Sequence, residues 1–261
     1  ESEEYEMKKL FLLVSMLMLF VLSCGSKDKA ETKTDGEAKE KVLRVGTNPE
    51  FKPFEYVGEG GKTEGFDIDL MNMIAEELGY KVEWKIMAFD GLIPAMKNGE
   101  LDAIIAGMSV TEERLQAVDF SDEYYKSKFA YVKLKGDTTI TKPEDLKDKK
   151  VGAQLGTIQE QEARKLSSNV IPNEAITALI LEMKNKNMDA IVLEDVVASS
   201  YVSENPFLEI FATKDMADNG GTAIAFDKGK NAELIKEVNG AIKKLQENGK
   251  YDELLKKYNL K

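Results

Sequence analysis

The chain has 261 residues, 43% of them hydrophobic, with a formal net charge of −11 and a pI near 4.8. That length accommodates one large domain or two small ones, and the acidic balance excludes nucleic acid and an anionic membrane surface as partners. There is no histidine, the commonest general base and metal ligand, and the single cysteine excludes an intramolecular disulfide or a cysteine-rich zinc site. No cofactor and no metal are expected, and an enzyme built on this chain would have to use carboxylates, lysine, tyrosine or serine.

Residues 1–6 are acidic and precede Met7, which is expected to be the true start because signal peptides do not begin with acidic residues. Lys8 and Lys9 form a basic region, and residues 10–22 form an apolar run broken only by Ser15. The run is short for a membrane span but suits a secretory signal. It ends in Val21-Leu22-Ser23-Cys24-Gly25, which resembles a bacterial lipobox with Cys24 as the lipidated residue. Residues 1–24 therefore read as a signal peptide with a lipobox. Residues 25–41 read as a flexible tether, because SKDKAETKTDGEAKEK contains no large apolar residue to bury.

From Val42 onward, strands and helices alternate. VLRVGT (residues 42–47) reads as a strand and leads to Asn48 and to Phe51 and Phe54, which prolines keep out of a helix. GFDIDLMNMIAEELGY follows as a helix, with Asp67 as the expected N-cap, Leu70, Ile74 and Leu78 on one face, and Gly79 at its end. A second strand (residues 81–87) leads to Phe89, and Asp90 is placed to cap the helix LIPAMKNG. The third strand (residues 101–106) ends at Ala106 and delivers Gly107, Ser109, Thr111 and Arg114. The strand–helix pattern then repeats from Lys150. One strand ends at Gln154 ahead of Gly156, Thr157, Ile158 and Gln159, and another, MDAIVL, ends at Glu194 and Asp195. Two amphipathic helices close the chain, split by Asn248-Gly249.

Repeated strand–helix units imply an α/β protein with parallel sheets in two lobes and a cleft between them. Ligands of such sheets sit at the carboxyl ends of the strands, and every polar cluster above lies at such an end. Together the clusters supply a cation (Arg114), an acid (Glu194 or Asp195), hydroxyls (Ser109, Thr157) and aromatic faces (Phe51, Phe89). A free amino acid needs that set: a fork of donors for its carboxylate, an acid for its ammonium, and rings for its side chain. Singly, each residue also has a plainer reading. Arg114 reads equally as a surface ion pair, Asp195 as a helix cap, and the phenylalanines as core.

On the motifs VGTNPEFKPFEY, GFDIDL, FDGLIPAMKNGELDAIIAGMSVTEER, VDFSDEYY, VGAQLGTIQEQEA, MDAIVLED and NGAIKKLQENGKYDELLKKY, the chain resembles the polar amino-acid binding proteins of bacterial ABC importers. The resemblance implies the two-lobed type II periplasmic-binding-protein fold, each lobe a mainly parallel sheet flanked by helices. Lobe 1 would comprise residues 42–132 and 223–261 and lobe 2 residues 133–222, with crossings near residues 131–136 and 220–222. It implies that Arg114 grips the ligand α-carboxylate with backbone N–H groups at Ser109 and at Thr157-Ile158. Gly107, Ser109 and Glu194 would hold the α-ammonium, with Asp195 as the fallback, and Phe51 and Phe89 would sandwich the side chain. Asn48, Ala106, Gln154 and Gln159 complete the expected site, with Glu50 also within reach. The implied function is capture of a free L-amino acid, a basic one such as arginine or lysine favoured over glutamine, by an exported, lipid-anchored monomer that delivers it to an ABC permease. Two rivals stand beside it. A dehydratase-like enzyme could use the same fold, and a sensor domain would need a further membrane or signalling segment.

Overall fold

In the computed structural model, residues 41–216 and 220–261 are described; the expected signal peptide, Cys24 and the tether up to residue 40 lie outside them, while Lys41, expected to end the tether, already belongs to the first strand. Among the described residues, no helix is long and apolar enough to cross a membrane.

The first part of the chain runs β1 (Lys41–Thr47), β2 (Glu50–Phe51), β3 (Glu55–Val57), β4 (Thr63–Glu64), α1 (Phe66–Leu78), β5 (Tyr80–Ile86), α2 (Leu92–Lys97), β6 (Ala103–Ile104), α3 (Glu112–Leu115) and β7 (Val118–Phe120). The middle part runs β8 (Lys128–Leu134), β9 (Lys150–Gln154), α4 (Ile158–Leu166), β10 (Asn169–Asn173), α5 (Ile176–Lys184), β11 (Ala190–Glu194), α6 (Asp195–Glu204) and β12 (Leu208–Asp215). The chain ends with β13 (Ala225–Asp227), α7 (Ala232–Glu247) and α8 (Lys250–Lys257).

Two five-stranded sheets form the two lobes, in the orders β5-β1-β6-β13-β7 and β10-β9-β11-β8-β12, and β2, β3 and β4 make a small third sheet. Each large sheet has two parallel pairings, β1 with β5 and β6 or β9 with β10 and β11. Each also has two antiparallel ones, at β13 with β6 and β7 or at β8 with β11 and β12. The sheets are thus mixed rather than mainly parallel, because the strands flanking each crossing enter or leave against the direction of the strand–helix units. Strand β8 pairs along its whole length with β11 and β12. The chain has therefore entered the second sheet by Lys128, earlier than the expected crossing at residues 131–136. On its return it passes beside its outgoing path, where Thr222 bridges both Tyr125 and Ser109.

Helix α1 forms where expected, and its Leu70, Met71 and Ile74 are fully buried against the sheet and the C-terminal helices. Gly79 ends it in a left-handed conformation (φ 72°), donating to the carbonyls of Ala75 and Glu76. The expected Asp67 cap does not form. The N-cap is Gly65, where a Cβ would lie 2.0 Å from the Phe54 carbonyl oxygen, and Asp67 is one of the helix's buried residues. Asp90 likewise does not cap α2, whose N-cap is Gly91 without a side-chain bond. Helices α7 and α8 lay Val238, Ala241, Ile242, Leu245, Tyr251 and Leu254 onto the core, and Gly249 (φ 82°) makes the bend between them. This packing attaches the C-terminus to the first lobe and closes the scaffold that holds the strand ends in place.

Candidate functional site

The carboxyl ends of β1, β6 and β9 converge on one small, narrow cavity. The first lobe contributes Asn48, Phe51, Phe89, Ala106, Gly107, Ser109 and Arg114 to its wall, and the second contributes Gln154, Thr157, Ile158 and Gln159. These are all the expected site residues except Glu194. Glu55 also lines the wall and was not anticipated. The lobes touch across the cavity, where the Gln154 Nε2 donates to Asn48 Oδ1 at 2.7 Å and Arg114 Nη2 donates to the Gly156 carbonyl at 3.1 Å.

Arg114 is delivered by a short helix that Thr111 caps, its hydroxyl accepting from the Arg114 N–H. The guanidinium donates through Nη1 to the Ser109 carbonyl at 2.8 Å and lies 5.2 Å from the Phe89 ring centroid. Among the described residues no carboxylate comes within ion-pair distance of it, so it is not the surface ion pair of the plainer reading. Burial lowers its pKa to about 10, with the Glu113 charge opposing the shift. A half-buried cation that lacks an acidic partner is a receptor for an anion. Beside it begins α4, whose first-turn N–H groups at Ile158 and Gln159 have no helical partners. The Thr157 hydroxyl is not available to a ligand as a donor: it gives its proton to the Gln154 carbonyl at 2.6 Å and accepts from the Glu160 N–H.

Gly107 has φ 54°, and a Cβ there would meet the Phe51 ring at 2.7 Å, so only glycine lets the ring lie flat on this turn. Its N–H donates to Asp67 Oδ2 at 2.8 Å, and Tyr124 donates to the same oxygen at 2.7 Å. Asn48 is tied down at both ends, donating to the Met87 carbonyl and accepting from Gln154. Glu50 points away from the cavity, toward α5.

Three buried carboxyls crowd this region. Both oxygens of Glu55, both of Glu194 and Oδ1 of Asp67 are enclosed and lack a hydrogen-bond partner. Burial drives Glu55 well above the usual carboxyl range, and the charges of Asp67 and Glu194 add to it. Burial does the same to Glu194, eased by the nearby Ser127 hydroxyl and reinforced by Asp195 and Asp67. Asp67 is raised to about 6 by burial, against the pull of the Gly107 N–H, the Tyr124 hydroxyl and the neighbouring Glu55 carboxyl. Glu194 sits at the end of β11, fully buried, behind the cavity wall rather than in it. Asp195 is turned elsewhere, accepting from the backbone N–H groups of Val196 and Lys128. Sequence reasoning missed Glu55 because strand alternation gave no cue: Val57, on the same side of β3, is exposed.

Asp67 carries a pH prediction. Its folded value lies above the ordinary 3.8, so its contribution to stability is complete below about pH 4 and is lost as pH rises through about 6. The stability of Asp67→Asn relative to the parent protein is therefore expected to improve by on the order of 3 kcal/mol between pH 4 and pH 7.5. Urea unfolding of the pair across that range measures it, and a pH-independent gap between the two would refute it.

A scan against protein-family models matches residues 43–261 to the bacterial extracellular solute-binding proteins, family 3. The chain belongs to this family. A probable histidine-binding protein of Campylobacter jejuni is 40% identical over 251 residues, covering 95% of this chain and 96% of its own length. The arginine-binding extracellular protein ArtP of Bacillus subtilis is 39% identical over 259 residues, covering 97% and 98%. Among solved structures, an ancestral arginine-binding protein bound to arginine superposes with a TM-score of 0.79 at 42% identity, covering 83% of this chain and 97% of that one. The same figures describe an ancestral arginine-binding protein bound to glutamine. This chain thus shares its fold with proteins bound to an amino acid.

Proposed function

We propose that this solute-binding protein captures a free L-amino acid with a cationic side chain, arginine foremost, and hands the closed complex to an ABC permease. The observation that carries this reading is the polarity of the cavity. At one end stands Arg114, without an acidic partner among the described residues, beside the first turn of α4; the same wall holds the Glu55 carboxyl, both of whose oxygens lack a partner, with Asp67 and Glu194 buried outside that wall. The ligand carboxylate sits on Arg114 and the α4 N–H groups. Its ammonium faces Gly107 and Ser109, with Glu194 behind the wall, and its side chain runs between Phe51 and Phe89 toward Glu55 and Gln154. A guanidinium or ammonium group, which only donates, satisfies these acceptors, whereas an amide brings an acceptor of its own. Similarity to relatives named as histidine- and arginine-binding proteins supports a basic ligand.

Calorimetry against arginine, lysine, ornithine, histidine, glutamine and glutamate tests the proposal. Arginine binds tightest, with 1:1 stoichiometry, and no binding by any of the panel sinks it. The buried acids also favour a second reading, since Glu55 and Glu194 are held toward their protonated forms, as acid catalysis in a dehydratase requires. Product analysis after incubation with a cyclohexadienyl substrate separates the two. In the binding reading the protein acts as an exported monomer tethered through a lipid on Cys24, and Cys24→Ser releases it from the membrane fraction.

A further inference from the structure

Outside the cavity, the first lobe makes a second set of contacts with the second, centred on Glu50. Helix α5 has no cap of its own: Ala175 stands at its N-cap and offers no side-chain acceptor. The missing acceptor comes from the other lobe. Glu50 on β2 accepts the Thr177 N–H through Oε2 at 3.2 Å and the Thr177 hydroxyl through Oε1 at 3.3 Å. The Glu50 carbonyl accepts from the Tyr201 hydroxyl of α6 at 2.9 Å, and Lys52 pairs with Glu204 at the end of the same helix. Glu50 is absent from the cavity wall and lines instead a separate open groove of about 790 Å³ together with Thr177 and Tyr201.

We infer that Glu50 is a positioning residue for closure: it caps α5 across the cleft, and so sets how long a bound ligand stays without touching it. The argument is one of differential contact. The first-turn N–H groups of α5 carry the positive end of the helix dipole, and a carboxylate placed on them is stabilising. That carboxylate reaches them only when the lobes are together, so the contact favours the closed state alone and shifts the opening equilibrium by its full worth. Lys52 and Glu204 are both well exposed, and their pairing adds little in water. The inference rests on the reading of the cleft as a site that closes over an amino acid.

Stopped-flow binding of arginine to the parent protein, Glu50→Ala and Glu50→Gln tests it. Glu50→Ala raises the dissociation rate roughly 3- to 30-fold and leaves the association rate unchanged. Glu50→Gln falls between, since an amide oxygen still accepts but lacks the charge. Thr177→Val raises the dissociation rate in the parent and adds nothing in Glu50→Ala. Unchanged dissociation, additive effects, or a loss confined to association and ligand-free stability would each overturn the assignment. Spin labels at exposed Glu76 and Lys147, in a Cys24→Ser background, give a readout that needs no ligand: Glu50→Ala widens the distance between the lobes. A widened distance with no arginine binding by the parent upholds the Glu50 assignment and removes the amino-acid reading. Normal arginine binding with unaltered kinetics and distance does the reverse.

Discussion

Arg114→Ala is expected to weaken arginine binding by two orders of magnitude or more, about 3 kcal/mol. The guanidinium is held ready by the Ser109 and Gly156 carbonyls and by the face of Phe89, so little order has to be imposed when a carboxylate arrives. Its pKa, lowered to about 10 by burial, leaves it charged throughout the physiological range. Removing it leaves the ligand carboxylate enclosed with only backbone N–H donors, and an enclosed anion without its cation is expensive. The loss falls equally on arginine and glutamine, because Arg114 reads the part of the ligand that all amino acids share. Calorimetry with both ligands checks this. Retained affinity, or a loss confined to one ligand, would contradict the assigned role.

Glu55→Gln is expected to act on the other half of the ligand. Arginine affinity falls roughly 10- to 100-fold, as for the loss of a charged hydrogen-bond partner, while glutamine affinity holds or improves. The preference between the two therefore narrows or inverts. The parent protein should also bind arginine more tightly at pH 8 than at pH 6. The Glu55 carboxyl is held above its usual range by burial and by Asp67 and Glu194, so a cationic ligand must displace a proton from the cluster, and that becomes easier as pH rises. The slope flattens in Glu55→Gln. Equal losses for arginine and glutamine would mean that Glu55 supports the fold of the cavity rather than reading the side chain.

Most of the cavity-lining set was legible because strand ends can be read locally. Each of β1, β6 and β9 ends in buried residues, and cavity-lining residues lie at or just after that end. Asp67 and Asp90 misled for the same local reason: an acid near a helix start reads as a cap, yet each of these helices takes a glycine there. Asp67 is instead drawn inward by the Gly107 N–H and Tyr124, residues some 40 and 57 positions away. Glu50 shows the converse case. It looks available to the ligand in the chain, and it is committed to a helix of the other lobe.

By itself the sequence determined the alternating α/β pattern, the existence of two lobes, and the residues at each strand end, because periodicity, glycines and caps act over a few neighbours. Only the tertiary structure decided that Glu55 faces the cavity, that Glu194 lies buried behind it while Asp195 turns away, and that the antiparallel strands beside the crossings make each sheet mixed. The physical reason is range. Burial and the repulsion between Glu55, Asp67 and Glu194 arise among groups far apart in the chain. Nothing in the local pattern of any one of them records that the other two are near.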